Sequence, residues 1–138
     1  MAPACTVEFF NQFYGPYLKG TGAVKLQDKV YLYNMSGPLE LQDTVGVAGL
    51  AAYGRSLLYL VSRAYEESPG TPIAGMQIFA PGLGQSSKLS IDYATSAATA
   101  STSHGGFDND VATLSSIMTR VLGKPVPKPP LRDELIGY

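Results

Sequence analysis

Apolar positions in this chain recur at two periods, and the places where the period changes divide it into elements. Val7, Phe10, Tyr14 and Tyr17 fall three and four residues apart behind Thr6, a residue suited to cap a helix. Gly15-Pro16 interrupts that pattern and predicts an end or a kink there, with Gly20 and Gly22 marking a turn. Lys29 to Met35 (KVYLYNM) is short and rich in β-formers, which predicts a strand ended by Ser36-Gly37-Pro38. The stretch that follows (LELQDTVGVAG) reads as a loop carrying Glu40 and Asp43.

Helical period returns over Tyr53 to Glu67. There Leu57, Leu58, Leu60, Val61, Ala64 and Tyr65 cover one broad face, Arg55, Ser62, Arg63 and Glu66 lie elsewhere, and Ser68-Pro69-Gly70 stops the helix. Ile73 to Phe79 is apolar but has no clear period, and Pro81 to Ser87 is loop chemistry. Lys88 to Tyr93 alternates as a strand, with Leu89, Ile91 and Tyr93 on one face. Residues 94–103 are all Ala, Ser and Thr, compatible with a mobile linker or a tightly packed loop. Val111, Leu114, Ile117, Met118, Val121 and Leu122 then predict an amphipathic helix, capped by Asp108 or Asp110 and stopped by Gly123.

Two strands separated by helical crossovers predict an α/β layer with a small, partial parallel sheet and flanking helices. Met1–Cys5 offers the end of a third strand at most. So few strands leave edges and faces uncovered, which suggests self-association or a partner chain that completes the sheet. Residues 124–138 form a separate proline-rich tail, expected to be extended and loosely attached.

Composition narrows the function classes. The chain has 138 residues, enough for one domain or part of one and too few for a complete TIM barrel. Hydrophobic residues make up 45% and charged residues 15%, which argues against general disorder. Ten basic against eleven acidic residues leave no excess cation for phosphates, so neither nucleic acid nor an anionic membrane surface is expected as a partner. No apolar run reaches the roughly 20 residues that span a bilayer, and MAPACTVEFF lacks the basic start of a signal peptide. One cysteine, Cys5, and one histidine, His104, cannot supply the four ligands of a structural zinc site, and no metal or cofactor is expected. An internal disulfide is impossible, which fits a reducing, cytoplasmic setting.

The candidate chemistry centres on His104. It follows a strand, is flanked by Gly105-Gly106 and precedes a helix. That position puts an imidazole at the carboxyl edge of the sheet, where open α/β folds place ligands and where a general base could work. Glu40 or Asp43, after the first strand, could orient its ring. Asp108 and Asp110 are better explained as caps. A nucleophile is harder to find. Gly54-Arg55-Ser56-Leu57-Leu58 begins like a G-x-S-x-G elbow but ends in Leu. Ser56 with Asp92 and His104 would give the order Ser, Asp, His, while a serine at a helix start is more often structural. Cys5 could pair with His104 but lies among apolar neighbours. Gly82-x-Gly84 is too short for a dinucleotide fingerprint.

This order of elements resembles the C-terminal third of the α/β-hydrolase family. Lys29–Met35 looks like the acid strand, Leu39–Asp43 like the acid loop and Tyr53–Glu67 like the intervening helix. Lys88–Tyr93 looks like the last strand, Ser103–Asp110 like the histidine loop and Val111–Leu122 like the closing helix. Ala2–Leu18 would fit the end of the preceding strand and its helix. The resemblance covers roughly residues 1–123. It implies a serine-hydrolase site acting on small carboxylic esters, with His104 as general base and Asp43 or Glu40 as its acid. The family's nucleophile elbow and oxyanion segment lie upstream of these elements, and this chain has neither. The expectation is therefore a C-terminal fragment, a truncated gene product or a small relative without catalysis, inactive alone.

Overall fold

The computed structural model describes residues 3–20, 29–45, 54–65, 70–84 and 86–135. The Gly22 turn, Tyr53, the 66–69 part of the helix and its stop, and residues 136–138 lie outside the described residues.

Two strands, β1 (Val30–Met35) and β2 (Leu89–Ala94), pair in parallel, with Val30 opposite Leu89 and Met35 opposite Ala94. Mixed α/β architecture with a parallel sheet is thus what the chain adopts. Among the described residues the sheet has these two strands alone. Instead of a third strand, the chain around Cys5 gives an antiparallel bridge between Thr6 and Ile73.

Side chains alternate across a strand, so the register sorts the sheet into two faces. Val30 and Leu32 of β1, with Leu89 and Ile91 of β2, pack against Cys5, Phe10, Leu18, Ala74 and Leu83. On the other face Tyr31, Tyr33 and Met35 pack with Leu39, Ala98 and Phe107. A third cluster joins Leu58, Ile73 and Met76 to Tyr59, Val61 and Phe79.

The first helix divides at the place the sequence indicates. α1 (Val7–Phe13) is capped by Thr6, whose Oγ1 accepts from the Phe9 amide at 3.0 Å. α2 (Gly15–Leu18) follows with Pro16 in its first turn, where a missing N–H costs nothing. The Asn11 side chain grips the later segment at both ends of its amide. Its Nδ2 donates to the Gly82 carbonyl and its Oδ1 accepts from the Gly84 amide, each at 2.8 Å. This holds the 3₁₀ turn Gln77–Gly82, which takes up the last three residues of the stretch that shows no clear period.

Three expectations need correction. The stretch from Leu39 to Asp43 is not loop throughout: α3 (Gly37–Gln42) places Glu40 in a helix. Pro38 in the first turn presets the helical φ there, and the Glu40 amide donates to the Ser36 carbonyl at 3.0 Å. The helix expected over Tyr53–Glu67 starts only at Leu57. α4 (Leu57–Leu60) runs directly into a π turn, Val61–Tyr65, and Leu57 is exposed. Ser62, assigned to the polar side, is buried and donates to the Thr71 carbonyl at 2.6 Å. That bond uses a carbonyl of the returning chain, which no periodicity encodes.

The third correction is the largest. α5 (Val111–Leu122) forms where expected, with Asp110 as its cap and Gly123 in the left-handed conformation at its end. Its orientation is the reverse of what the apolar stripe suggests. Ile117, Met118, Val121 and Leu122 are exposed, Val121 to 80%. Its inward side is Thr113, Ser116 and Arg120, spaced three and four apart: Ser116 and Arg120 reach the sheet, and Thr113 reaches the loop at Thr99. Ser116 Oγ lies 3.0 Å from the Tyr33 hydroxyl. Arg120 donates to the Tyr33 hydroxyl and to Asp92 Oδ2, both at 2.6 Å, and its guanidinium lies 3.9 Å over the Tyr31 ring. A fork of donors above aromatic faces and a carboxylate satisfies several groups at once, which an aliphatic side chain there could not do.

The Ala/Ser/Thr segment is a packed loop. Thr99 and Ser101 are buried. Thr113 Oγ1 donates to Thr99 Oγ1 at 2.8 Å, and Asp110 Oδ2 accepts from the Ala100 amide at 2.8 Å. Burial by itself raises the Asp110 carboxyl. Hydrogen bonds from Thr113, Ala100 and Ala112 outweigh it and hold the group below the usual carboxylate range.

Candidate functional site

The carboxyl ends of β1 and β2 deliver the two halves of the site. β1 runs through Ser36 into α3, which carries Glu40. β2 runs through the packed loop to a short 3₁₀ turn, His104–Gly106. Phe107 anchors this turn beneath Tyr33 and Met35 at 2% exposure. At Gly106 the chain passes close to the packed loop, and a Cβ there would stand 2.6 Å from Ser101 Oγ, so a larger residue would force Ser101 to move.

His104 Nε2 lies 3.1 Å from Glu40 Oε2, with the carboxylate at 1% exposure and the imidazole at 16%. The same Oε2 accepts a hydrogen bond from Ser56 Oγ, which is fully buried. The backbone reinforces this contact, since the Ser56 amide donates to the Glu40 carbonyl at 3.0 Å. Glu40 Oε1 is buried without a partner among the described residues. Asp43 approaches the histidine differently: its Oδ2 accepts from the His104 backbone amide at 3.2 Å. Of the two candidate carboxylates, Glu40 therefore meets the ring and Asp43 holds the main chain.

Chemically, Glu40 fixes one ring nitrogen and leaves Nδ1 of His104 without a hydrogen-bond partner among the described residues. A base oriented by a carboxylate through one nitrogen and open at the other is the arrangement that proton transfer needs. Here the carboxylate takes Nε2, so Nδ1 is the nitrogen left to act.

The remaining candidates are placed elsewhere. Ser56, Asp92 and His104 do not form a triad, because Ser56 bonds Glu40 and Asp92 is paired with Arg120. Cys5 packs with the Phe10 and Leu32 cluster, where burial pushes its thiol pKa up and disfavours the thiolate. Among the described residues no group of three or more His, Cys, Asp or Glu side chains could hold a metal ion. No helix of the described residues is long and apolar enough to cross a membrane.

Sequence reasoning weighed Ser56 as a nucleophile and did not see it as a ligand of Glu40, sixteen residues upstream. It also missed the Arg120 brace. Its one available signal was the polar stripe Thr113, Ser116 and Arg120 at helical spacing. Comparison with protein families, with curated proteins and with solved structures gives no match.

Proposed function

We propose that this chain is an α/β-hydrolase-like module that carries the acid and the histidine of an ester-hydrolysing site, Glu40 and His104, without its nucleophile. The observation behind this reading is the 3.1 Å contact between Glu40 and His104, delivered from the carboxyl ends of two adjacent parallel strands. Members of such a site act as a unit, so an acid–histidine pair alone supplies little acyl transfer. Ser56 does not fill the gap, being fully buried with its hydroxyl committed to Glu40. The purified chain is expected to leave short-chain p-nitrophenyl esters unhydrolysed and to resist a fluorophosphonate probe. Turnover that disappears in a folded His104→Ala variant, or labelling at Ser56, would overturn the proposal.

A second reading is a non-enzymatic interaction module that covers its surface with another copy or a partner chain. The outward stripe of α5, with Ile117, Met118, Val121 and Leu122 exposed, favours it, as does a sheet that has two strands among the described residues. This reading expects a sedimentation coefficient that rises with concentration. A well-folded monomer throughout the micromolar range would count against self-association.

A further inference from the structure

Residues 124–131 read Lys-Pro-Val-Pro-Lys-Pro-Pro-Leu. The left-handed Gly123 ends α5 with φ +66°, and the chain then leaves the helix. Four of the next seven residues are prolines, which have no amide to donate and whose φ is already that of a polyproline II helix. No backbone hydrogen bond ties residues 124–130 to the rest of the described chain. Lys124, Pro125, Pro127, Lys128 and Pro129 are exposed, while Val126 and Pro130 are half-buried. The segment bends around Pro127 and Lys128 and rejoins the body through α6 (Arg132–Leu135), whose Arg132 lines a cleft with Ser101, Ser103 and Asp110.

A polyproline II helix repeats every three residues. Straightened from the bend at Pro127 and Lys128 into such a helix, Lys124, Pro127 and Pro130 would share one edge: a cation followed by two prolines in P-x-x-P spacing. Lys128 belongs to a different edge. Proline-rich segments of this kind dock into aromatic-lined grooves, and proline φ angles that are already fixed keep the cost of ordering small. We infer that residues 124–130 are a docking ligand for an SH3-type groove, whose aromatic slots take Pro127 and Pro130 and whose acidic end takes Lys124. This does not depend on the chemistry proposed for Glu40 and His104.

The test titrates the labelled full chain with purified SH3 domains that prefer a cation at the leading end of their ligands, and with purified WW domains. Saturable binding to SH3 domains is expected. It should weaken about tenfold or more in the Pro127→Ala/Pro130→Ala variant and in Lys124→Ala, and change little in Lys128→Ala. These positions lie outside the packed core, so circular dichroism should match the parent in each variant. The inference is overturned by a lack of saturation with every SH3 domain tried or by binding to WW domains alone. It is equally overturned by an unchanged affinity in the double proline variant or by equal losses at Lys124 and Lys128.

Discussion

Replacing His104 with alanine is expected to destabilise the fold by about 3 kcal/mol, because it strands the Glu40 carboxylate in the interior. Glu40 is 1% exposed and Oε1 already lacks a partner, so Oε2 carries all of its side-chain hydrogen bonding. Without the imidazole the only donor left among the described residues is the Ser56 hydroxyl. The opposite deletion is milder. Glu40→Gln removes the charge that needs compensation and keeps an oxygen that can accept from Ser56. The double variant Glu40→Gln/His104→Ala should therefore recover a substantial part of what His104→Ala loses, a coupling that a double-mutant cycle measures directly. Urea unfolding of the four proteins checks this. If His104→Ala shifts stability by less than about 0.5 kcal/mol, the size of a neutral surface change, the buried carboxylate does not depend on the histidine.

Phe107→Ala is expected to cost more, about 4 kcal/mol, as a large aromatic removed from a closed site. Phe107 is 2% exposed and fills the space beneath Tyr33 and Met35, three residues after His104. Its loss also loosens the turn that presents the imidazole. Hydrogen exchange at Gly106 and Asn109, whose amides bond within this turn, should accelerate together with the fall in stability. Phe107→Leu keeps most of the volume and should cost about 1.5 kcal/mol or less. Equal stability of the alanine variant and the parent would show that this ring does not anchor the loop.

The local order of the molecule was legible wherever one signal acted over one element. Thr6 caps α1, Gly15-Pro16 divides it, Asp110 and Gly123 bound α5, and both strands lie where short β-rich runs predict them. These features depend on cap chemistry and on contacts between near neighbours. The parallel pairing followed from the same reading, since crossovers separate the two strands. Glu40, Asp43, Ser56 and His104 were all legible as candidates by residue type and by position after a strand or before a helix. Their partners were not. Whether Glu40 or Asp43 meets the imidazole depends on α3, whose single turn and a half brings Glu40 inward and leaves Asp43 at its end.

By itself the sequence determined the kinds of element, their order and most of their boundaries, because capping, turn formation and strand preference act within a few residues. Only the tertiary structure decided how those elements use their faces. α5 shows this most clearly: an apolar stripe at helical period predicts burial, yet Tyr33 and Asp92 draw the Arg120 side inward and leave Val121 in solvent. The partner groups lie 28 and 87 residues upstream. Ser56 tells the same story, since its hydroxyl finds a carboxylate on a different helix and not the imidazole of His104. Long-range hydrogen bonds depend on where chain segments meet in space, and no local period records that meeting.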